Sequence, residues 1–179
     1  ITTFFFQLQD INKGKSRPQG IDKSACKKVG ILGAGMMGAG IAYCSAMSGI
    51  DVVLKDISEE NASKGKAYSE NLLKKRVSRG QMTQEKADTV LARITATENA
   101  DDLSGCDLVI EAVFEKRELK AQVTQEAEAK MLETGVMASN TSSLPITGLA
   151  EASARPANYI GLHFFSPVDK MPLVEIICG

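Results

Sequence analysis

The amino-acid sequence predicts an α/β protein with a doubly wound, mainly parallel sheet. Short apolar runs typical of buried strands alternate with longer segments that have a helical period, and this alternation requires helices on both faces of the sheet. A glycine-rich turn directly follows the first strand and opens the first helix. The chain has 179 residues, 44% of them hydrophobic, which is enough for a single domain with one substantial core.

The apolar runs and the residues that start or stop helices define the order of the elements. Gly49 can stop the first helix, and Ser58 and Thr83 can cap the next two. The interval 57–93 is far longer than one crossover helix requires, so we expect a helical hairpin, with a turn near Gly80, inserted between strands 2 and 3. The expected strands are 29–32, 51–54, 94–97, 107–110, 136–139, 159–164 and 173–177, and the other expected helices are 36–47, 116–132 and 146–152.

Residues 1–26 have no clear period. An apolar beginning is followed by a stretch from Asn12 to Ser24 that is rich in Lys, Gly, Ser and Pro, a composition typical of a linker. We therefore divide the chain into a linker or tail from a preceding domain, residues 1–26, and a folded domain, residues 27–179. The chain does not begin with Met and ends in a strand-like run, so we expect the protein to continue beyond both ends.

Composition and charge argue against several classes of protein. The formal net charge of −1 provides no general attraction to nucleic acid or to an anionic membrane. No apolar run reaches the roughly 18 residues that a membrane span needs. The four cysteines are scattered, without a C-x-x-C pair or a histidine at zinc-ligand spacing, which indicates a reducing compartment and no metal site.

The segment Gly33–Gly38, with the sequence GAGMMG, has the pattern G-x-G-x-x-G between a strand and a helix. In this context the first glycine allows a tight turn, the second allows close approach of a pyrophosphate, and the third allows close packing of helix on strand. The pyrophosphate then binds free N–H groups at the helix N-terminus. The pattern predicts a Rossmann-type dinucleotide site for NAD or, alternatively, for FAD.

Asp56 stands at the end of the second predicted strand, downstream of the glycine turn. A carboxylate at this spacing can accept both ribose hydroxyls of NAD, and it would repel the 2′-phosphate of NADP. The alternative is a solvated Asp that starts a loop. We interpret Asp56 as the ribose ligand and expect NAD as the cofactor.

Polar residues gather at three further strand ends, where open α/β sheets bind their ligands. Glu111, Glu115 and Lys120 follow the fourth strand, and the run 139–143 follows the fifth. His163, the only histidine in the chain, ends the sixth strand, and Glu175 interrupts a later apolar run. A lone histidine is usually structural and Glu175 could face solvent, but the positions of the two also fit a base with a carboxylate partner.

Five motifs in order resemble the L-3-hydroxyacyl-CoA dehydrogenase family, over residues 28–179. The likeness is greatest to the α subunit of bacterial multifunctional fatty-acid oxidation complexes. The motifs are GAGMMGAGIA at 33–42, VIEAVFE at 109–115, SNTSSL at 139–144, GLHFFSP at 161–167 and MPLVEII at 171–177. One departure is Ser166, where many members of the family carry Asn.

The resemblance implies a role for each matching residue. His163 would be the catalytic base, Glu175 the carboxylate that orients it, and Ser142 a hydrogen-bonding partner of the substrate. Lys120 would also approach the acyl-CoA, and basic residues of the hairpin, Lys74, Lys75 and Arg76, would bind CoA phosphates unless they form only a solvated face. The residues implied in NAD binding are Gly33, Gly35, Met36, Met37, Gly38, Asp56, Val113, Phe114, Glu115, Lys120, Asn140, Ser142 and Ser166.

The same resemblance implies the reaction and the rest of the protein. We expect 27–179 to be the NAD-binding Rossmann domain of a bacterial cytoplasmic enzyme that oxidises L-3-hydroxyacyl-CoA to 3-oxoacyl-CoA in fatty-acid β-oxidation. The family adds a C-terminal helical domain, absent here, and the α subunits add an N-terminal hydratase domain; the full protein would be oligomeric. Two alternatives stay open, namely a dehydrogenase of a free hydroxy acid and a module that binds NAD without catalysis.

Overall fold

A computed structural model describes residues 6, 9–11, 13–15, 17–20 and 24–179. The linker predicted for residues 1–26 lies in part outside these ranges and stays a prediction. None of the helices in the described part of the chain is long and apolar enough to cross a membrane.

Seven strands in the described residues form one sheet, with the order β3-β2-β1-β4-β5-β6-β7. Every neighbouring pair is parallel except β6 and β7, which are antiparallel. The strands are β1 Lys28–Leu32, β2 Asp51–Lys55, β3 Ile94–Thr97, β4 Leu108–Glu111, β5 Val136–Ser139, β6 Tyr159–Phe164 and β7 Val174–Ile177. This order of strands confirms the Rossmann-type, doubly wound fold class.

Helices cover both faces of the sheet, because strands in its centre are apolar on both sides. Ile31 and Leu32 are consecutive in β1, yet each packs into a different cluster of buried residues, as the twofold alternation of a strand requires. The helices are α1 Met36–Met47, α2 Glu59–Ser78, α3 Gln84–Ala92, α4 Arg117–Glu128 and α5 Ile146–Ala150, with 3₁₀ turns at Ala100–Leu103 and Pro156–Asn158.

Helices α2 and α3 form the expected hairpin between β2 and β3. The Ser58 side chain accepts a hydrogen bond from the Asn61 N–H, and the Thr83 side chain accepts one from the Lys86 N–H, so both predicted N-caps are present. Gly80 lies between the helices with φ of +67°. Leu73 of α2 belongs to the buried cluster that α1 also joins, which fixes the hairpin against the sheet.

Helix α4 ends at Glu128, four residues before the end that the sequence predicted. Continuing the helix would require the Leu132 N–H to donate to the Glu128 carbonyl. That N–H donates instead to the Cys106 carbonyl, at 3.1 Å, and Arg155 reaches the Glu128 carbonyl. Tertiary hydrogen bonds to two distant segments therefore end the helix, and the local pattern carries no sign of them. Helix α5 is shorter than predicted as well, ending at Ala150.

Candidate active site

The three glycines of the turn after β1 meet three different constraints. Gly33 has φ of +93°, a conformation that other residues rarely adopt. A Cβ on Gly38 would lie 1.8 Å from the Gly33 carbonyl oxygen, so α1 packs directly on the turn. A Cβ on Gly35 would meet no described heavy atom within 4 Å outside its neighbours. The backbone at Gly35 therefore faces open space, where a pyrophosphate fits.

The N-terminus of α1 also suits an anion. Gly35 is the N-cap, no side chain in the described part of the chain caps the helix, and the first turn carries no acidic residue. The first-turn N–H groups have no partner within the helix, and the helix dipole makes this end positive. The residues present thus fit the diphosphate of a dinucleotide.

Asp56 lies beside the glycine turn. Its Oδ2 accepts the Ala34 N–H at 2.7 Å, and its Oδ1 accepts the Ile57 N–H at 2.7 Å. Each carboxylate oxygen can accept more than one hydrogen bond, which leaves capacity for ribose hydroxyls. The structure thus brings together the two sequence features from which NAD was predicted.

A groove of about 290 Å³ opens at the carboxyl ends of β4 and β5. It is lined by Met37, Ala112, Val113, Glu115, Asn140, Ser142 and Ser143, most of which are among the predicted cofactor residues. Phe114, also predicted, is 83% exposed. The hydroxyl of Ser166 donates to the Met36 sulfur, at 3.9 Å, so these two predicted residues contact each other.

The predicted base and its partners form one hydrogen-bonded row. His163 and Glu175 are opposite each other in the register of β6 and β7, and the distance from His163 Nδ1 to Glu175 Oε2 is 2.8 Å. On the other side of the ring, Nε2 lies 3.4 Å from Ser142 Oγ. The histidine side chain is 21% exposed and that of Glu175 is 50% exposed, so ligands can reach the row.

This row gives the histidine a defined chemistry. A carboxylate beside Nδ1 favours the tautomer in which Nδ1 carries the proton, which leaves the lone pair of Nε2 to accept one. The negative charge of Glu175 also stabilises the ring once it is protonated. An acceptor at Nε2 with a serine hydroxyl beside it is suited to removing a proton from an alcohol.

Glu115 organises the loop that carries Ser142. Its Oε1 accepts the Thr141 hydroxyl, the Ser142 N–H at 3.1 Å and the Ser143 N–H at 3.3 Å. Partial burial raises its pKa, but the hydrogen bonds from Thr141 and Lys120 and the charge of Lys120 outweigh burial and lower the pKa of Glu115 to about 2. The carboxylate is therefore ionised at neutral pH and bonds several donors of one loop.

Lys120 differs from its expected placement. It was predicted to line the cofactor groove, but its side chain is 1% exposed. Its Nζ lies 2.8 Å from both carboxylate oxygens of Glu111 and 3.1 Å from Glu115 Oε2. The physical reason is that Glu111 is completely buried, and a buried carboxylate requires a counter-charge.

Several residues of the site were not given a role from the sequence. The sequence marked Glu111, Thr141 and Ser143 only as polar residues at strand ends and as members of the motifs VIEAVFE and SNTSSL. Their signal was a row of polar residues directly after buried strands. The predicted Asn140 joins two strand ends, because its Oδ1 accepts the Phe164 N–H at 2.9 Å.

A second pocket, of about 300 Å³, lies between α1, α2 and the loop before β7. Its lining is rich in cations: Tyr43, Leu72, Lys75, Arg76, Arg79, Gln81, Asp169 and Lys170. Lys74 is not among them and pairs with Glu70 at 2.5 Å, so the structure separates it from Lys75 and Arg76. Among the residues that the structure describes, no cluster of three or more His, Cys, Asp or Glu could hold a metal ion.

Comparison with known proteins identifies the family. The family model for the 3-hydroxyacyl-CoA dehydrogenase, NAD binding domain, matches residues 28–179. The chain is 46% identical over 153 residues to the 3-hydroxybutyryl-CoA dehydrogenase of Bradyrhizobium diazoefficiens, covering 86% of this chain and 52% of that protein. It is 44% identical over 178 residues to the fatty acid oxidation complex subunit alpha of Shewanella baltica, covering 99% of this chain and 25% of that subunit.

A solved structure agrees with these matches. The (S)-3-hydroxybutyryl-CoA dehydrogenase of Ralstonia eutropha superposes with a TM-score of 0.81 at 40% identity, over 85% of this chain and 54% of that one. The chain thus spans only about half, or about a quarter, of the length of its relatives. The resemblance seen in the sequence is confirmed, and the chain belongs to the 3-hydroxyacyl-CoA dehydrogenase family as its NAD-binding domain.

Proposed function

We propose that this domain, within a longer protein, oxidises the 3-hydroxyl of an L-3-hydroxyacyl-CoA to give a 3-oxoacyl-CoA in fatty-acid β-oxidation. The observation that carries the proposal is the row Ser142–His163–Glu175 on the same edge of the sheet as the glycine turn. Binding of NAD alone would require neither a base nor a carboxylate that holds it.

The chemistry divides between the cofactor and the chain. Bound NAD⁺ supplies the acceptor for the hydride that leaves C3 of the substrate. The Nε2 atom of His163 takes the proton of the 3-hydroxyl, and Glu175 stabilises the resulting imidazolium. Ser142 donates a hydrogen bond to the substrate oxygen and holds it beside Nε2. The helix dipole and the first-turn N–H groups of α1 hold the diphosphate, and Asp56 holds the adenosine ribose.

The second pocket supports an acyl-CoA rather than a free acid as substrate. Lys75, Arg76, Arg79 and Lys170 face one carboxylate, Asp169, in its lining, so the pocket carries an excess of positive charge. CoA has three phosphate groups, and clustered cations favour their binding. A short free hydroxy acid carries one negative charge and leaves such a pocket without a ligand.

The wider organisation of the protein is also part of the proposal. Residues 1–26 connect this domain to a preceding hydratase domain, and a helical domain follows residue 179. Leu173, Val174, Ile176 and Ile177 are all exposed on or beside the edge strand β7, a strip of apolar surface that a following domain can cover. The full protein is an oligomer of the bacterial cytoplasm.

A substrate comparison tests the proposal. The chain is extended at its C-terminus by the helical domain of a relative, and NADH formation is measured with 3-hydroxybutyryl-CoA and with free 3-hydroxybutyrate. We expect turnover of the CoA ester and at least ~100-fold lower kcat/KM for the free acid, because binding energy from CoA holds the hydroxyl in place. Equal kcat/KM values for the two compounds would contradict an acyl-CoA substrate.

A further inference from the structure

Glu111 is a completely buried carboxylate that the proposed reaction does not use. It ends β4, and three donors from three segments form four hydrogen bonds to it. The Lys120 Nζ donates to both of its oxygens at 2.8 Å, the Val113 N–H donates at 3.3 Å, and the Ser139 hydroxyl donates as well. Burial raises the pKa of Glu111, and the charge of Lys120 and the hydroxyl of Ser139 offset only part of that rise. Removing one partner of a buried ion pair leaves an uncompensated charge, so the contacts of Glu111 strongly constrain the groups around it.

Lys120 connects buried Glu111 to Glu115, which lies at the surface. Its ammonium is held between buried Glu111 and half-exposed Glu115, so its position depends on both carboxylates. With Glu111 ionised, the buried ammonium has a fixed site at the start of α4. Without that partner, Lys120 is free to turn toward Glu115 or toward the groove, because a long side chain retains many rotamers.

Glu115 in turn holds the loop 141–143 in place. It accepts hydrogen bonds from three consecutive residues, Thr141, Ser142 and Ser143. Thr141 is 4% exposed, and its hydroxyl also accepts the Leu144 N–H at 3.0 Å. The loop therefore cannot shift without breaking several bonds to one carboxylate.

The last link connects this loop to the histidine. Ser142 Oγ lies 3.4 Å from His163 Nε2, at the long end of the hydrogen-bond range. A small displacement of the loop at this distance either forms or breaks the contact. The position of a buried carboxylate on β4 is thus coupled, through two side chains and one loop, to the reacting nitrogen on β6.

We propose that Glu111 is a positioning residue for the Ser142–His163 pair, acting through Lys120, Glu115 and the loop 141–143. This inference rests on the proposed function only in treating Ser142 and His163 as the reacting pair. Glu111 is completely buried and so contacts neither cofactor nor substrate. Its role is to fix the positions of Ser142 and His163.

Because the chain contains a single histidine, its ring signals in a two-dimensional NMR spectrum need no assignment by mutation. The test compares the unmodified chain with Glu111→Gln, which keeps the size of the side chain and removes its charge. Glu118→Gln on the exposed side of α4 is the control for a lost negative charge. Thr141→Val removes the hydroxyl that Glu115 accepts, and Thr141→Ser restores a hydroxyl, so this pair tests the same path without a buried charge.

We expect Glu111→Gln and Thr141→Val to move the His163 ring signals and the Ser142 amide signal, and Glu118→Gln and Thr141→Ser to leave them in place. In the chain extended by a helical domain, the first two variants should lose about tenfold in kcat, since misplacement of a reacting group affects the chemical step. The KM for NAD⁺ should change by a smaller factor, although Ser142 and Ser143 also line the groove. If Glu111→Gln does not fold, the spectra and kcat of Thr141→Val test the inference instead.

Unmoved His163 and Ser142 signals in folded Glu111→Gln, or in Thr141→Val, would overturn the inference. The proposed function fails in a different way, namely if NADH added to the unmodified chain leaves the His163 signals unchanged. The two outcomes are therefore separable within one set of spectra.

Discussion

The two halves of the sheet hold their ligand-facing groups by different means. Around β1 and β2, which we call the backbone half, the site is formed mainly by main-chain groups. Gly33 has a positive φ, α1 packs closely at Gly38, and the Ala34 N–H donates to Asp56. Around β4, β5 and β6 it depends on side chains that form hydrogen bonds to groups on other elements, such as Glu111 to Lys120 and Glu175 to His163. The first half depends on glycines, whose missing side chains allow close approach of the backbone. The second half depends on charged and polar side chains that pair between different elements. Substitutions should therefore act differently in the two halves.

The largest loss of NADH binding should come from Gly38→Ala, which adds one carbon atom to the turn after β1. A Cβ on Gly38 would lie 1.8 Å from the Gly33 carbonyl oxygen, so Gly38→Ala forces α1 away from the turn. We expect a lower Tm and at least ~100-fold weaker NADH binding, because overpacking forces the backbone to move. Fluorescence titration with NADH and a thermal melt provide the measurement.

Gly35→Ala is the matched comparison. The added Cβ points into open space, so Tm should stay within about 2 °C of the unmodified value while NADH binding weakens, since the methyl group occupies the approach to the pyrophosphate. Equal losses of Tm in the two alanine variants would show that the glycines do not have the separate roles described here.

In the side-chain half, Glu175→Gln should lower kcat in the extended chain by about 100-fold. The amide keeps the shape of the side chain but no longer stabilises the protonated ring, and its NH₂ group can hold the wrong histidine tautomer. NADH affinity should change less than twofold, because Glu175 is not among the groove-lining residues. Nitrogen chemical shifts of His163 would report the tautomer, and an unchanged tautomer with full turnover would contradict the assigned role.

A smaller effect is expected for the choice of cofactor. Asp56→Ala should weaken NADH binding by about tenfold and reduce the difference in affinity between NADH and NADPH. Both the ribose contact and the repulsion of a 2′-phosphate are lost in this variant. Asp56→Asn keeps an acceptor for the Ala34 N–H, so it separates loss of the turn geometry from loss of charge. Unmodified protein that binds NADH and NADPH equally well would refute the ribose role.

A separate effect, on stability rather than on binding or turnover, should be the pH dependence that comes from Glu115. Its pKa is lowered to about 2 in the folded chain, against about 4.3 when unfolded. A depressed carboxylate pKa contributes stability that is complete above the unfolded value and is lost as pH falls toward the folded one. Urea unfolding should show Glu115→Gln to be less stable at pH 6, with the difference shrinking toward pH 2.5.

The contrast between the halves also explains what the sequence could predict. The glycine turn, Asp56 and the helix caps at Ser58 and Thr83 are local signals, and each was found in place. The early end of α4 depends on hydrogen bonds with Cys106 and Arg155, which lie far from the end of the helix in sequence, so no local window contains that signal.

Lys120 shows the limit most clearly. Its position shortly after the motif VIEAVFE indicated that it belongs to the site, and it does lie beside Glu115. Lys120 is buried because it pairs with Glu111, which lies nine positions earlier on a different element. The sequence pattern does not show this pairing, so the prediction that Lys120 lines the groove was wrong. Spacing along a chain identifies the members of a site better than it identifies what each of them touches.

The most direct test of the account is a comparison of the extended chain with its His163→Gln variant. NADH formation from 3-hydroxybutyryl-CoA is measured beside NADH affinity, with Glu118→Gln as the control. We expect kcat to fall by at least ~100-fold, the range for loss of a general base, while the Kd for NADH changes less than twofold. Turnover of His163→Gln within threefold of the unmodified protein would contradict the assignment of His163 as the base.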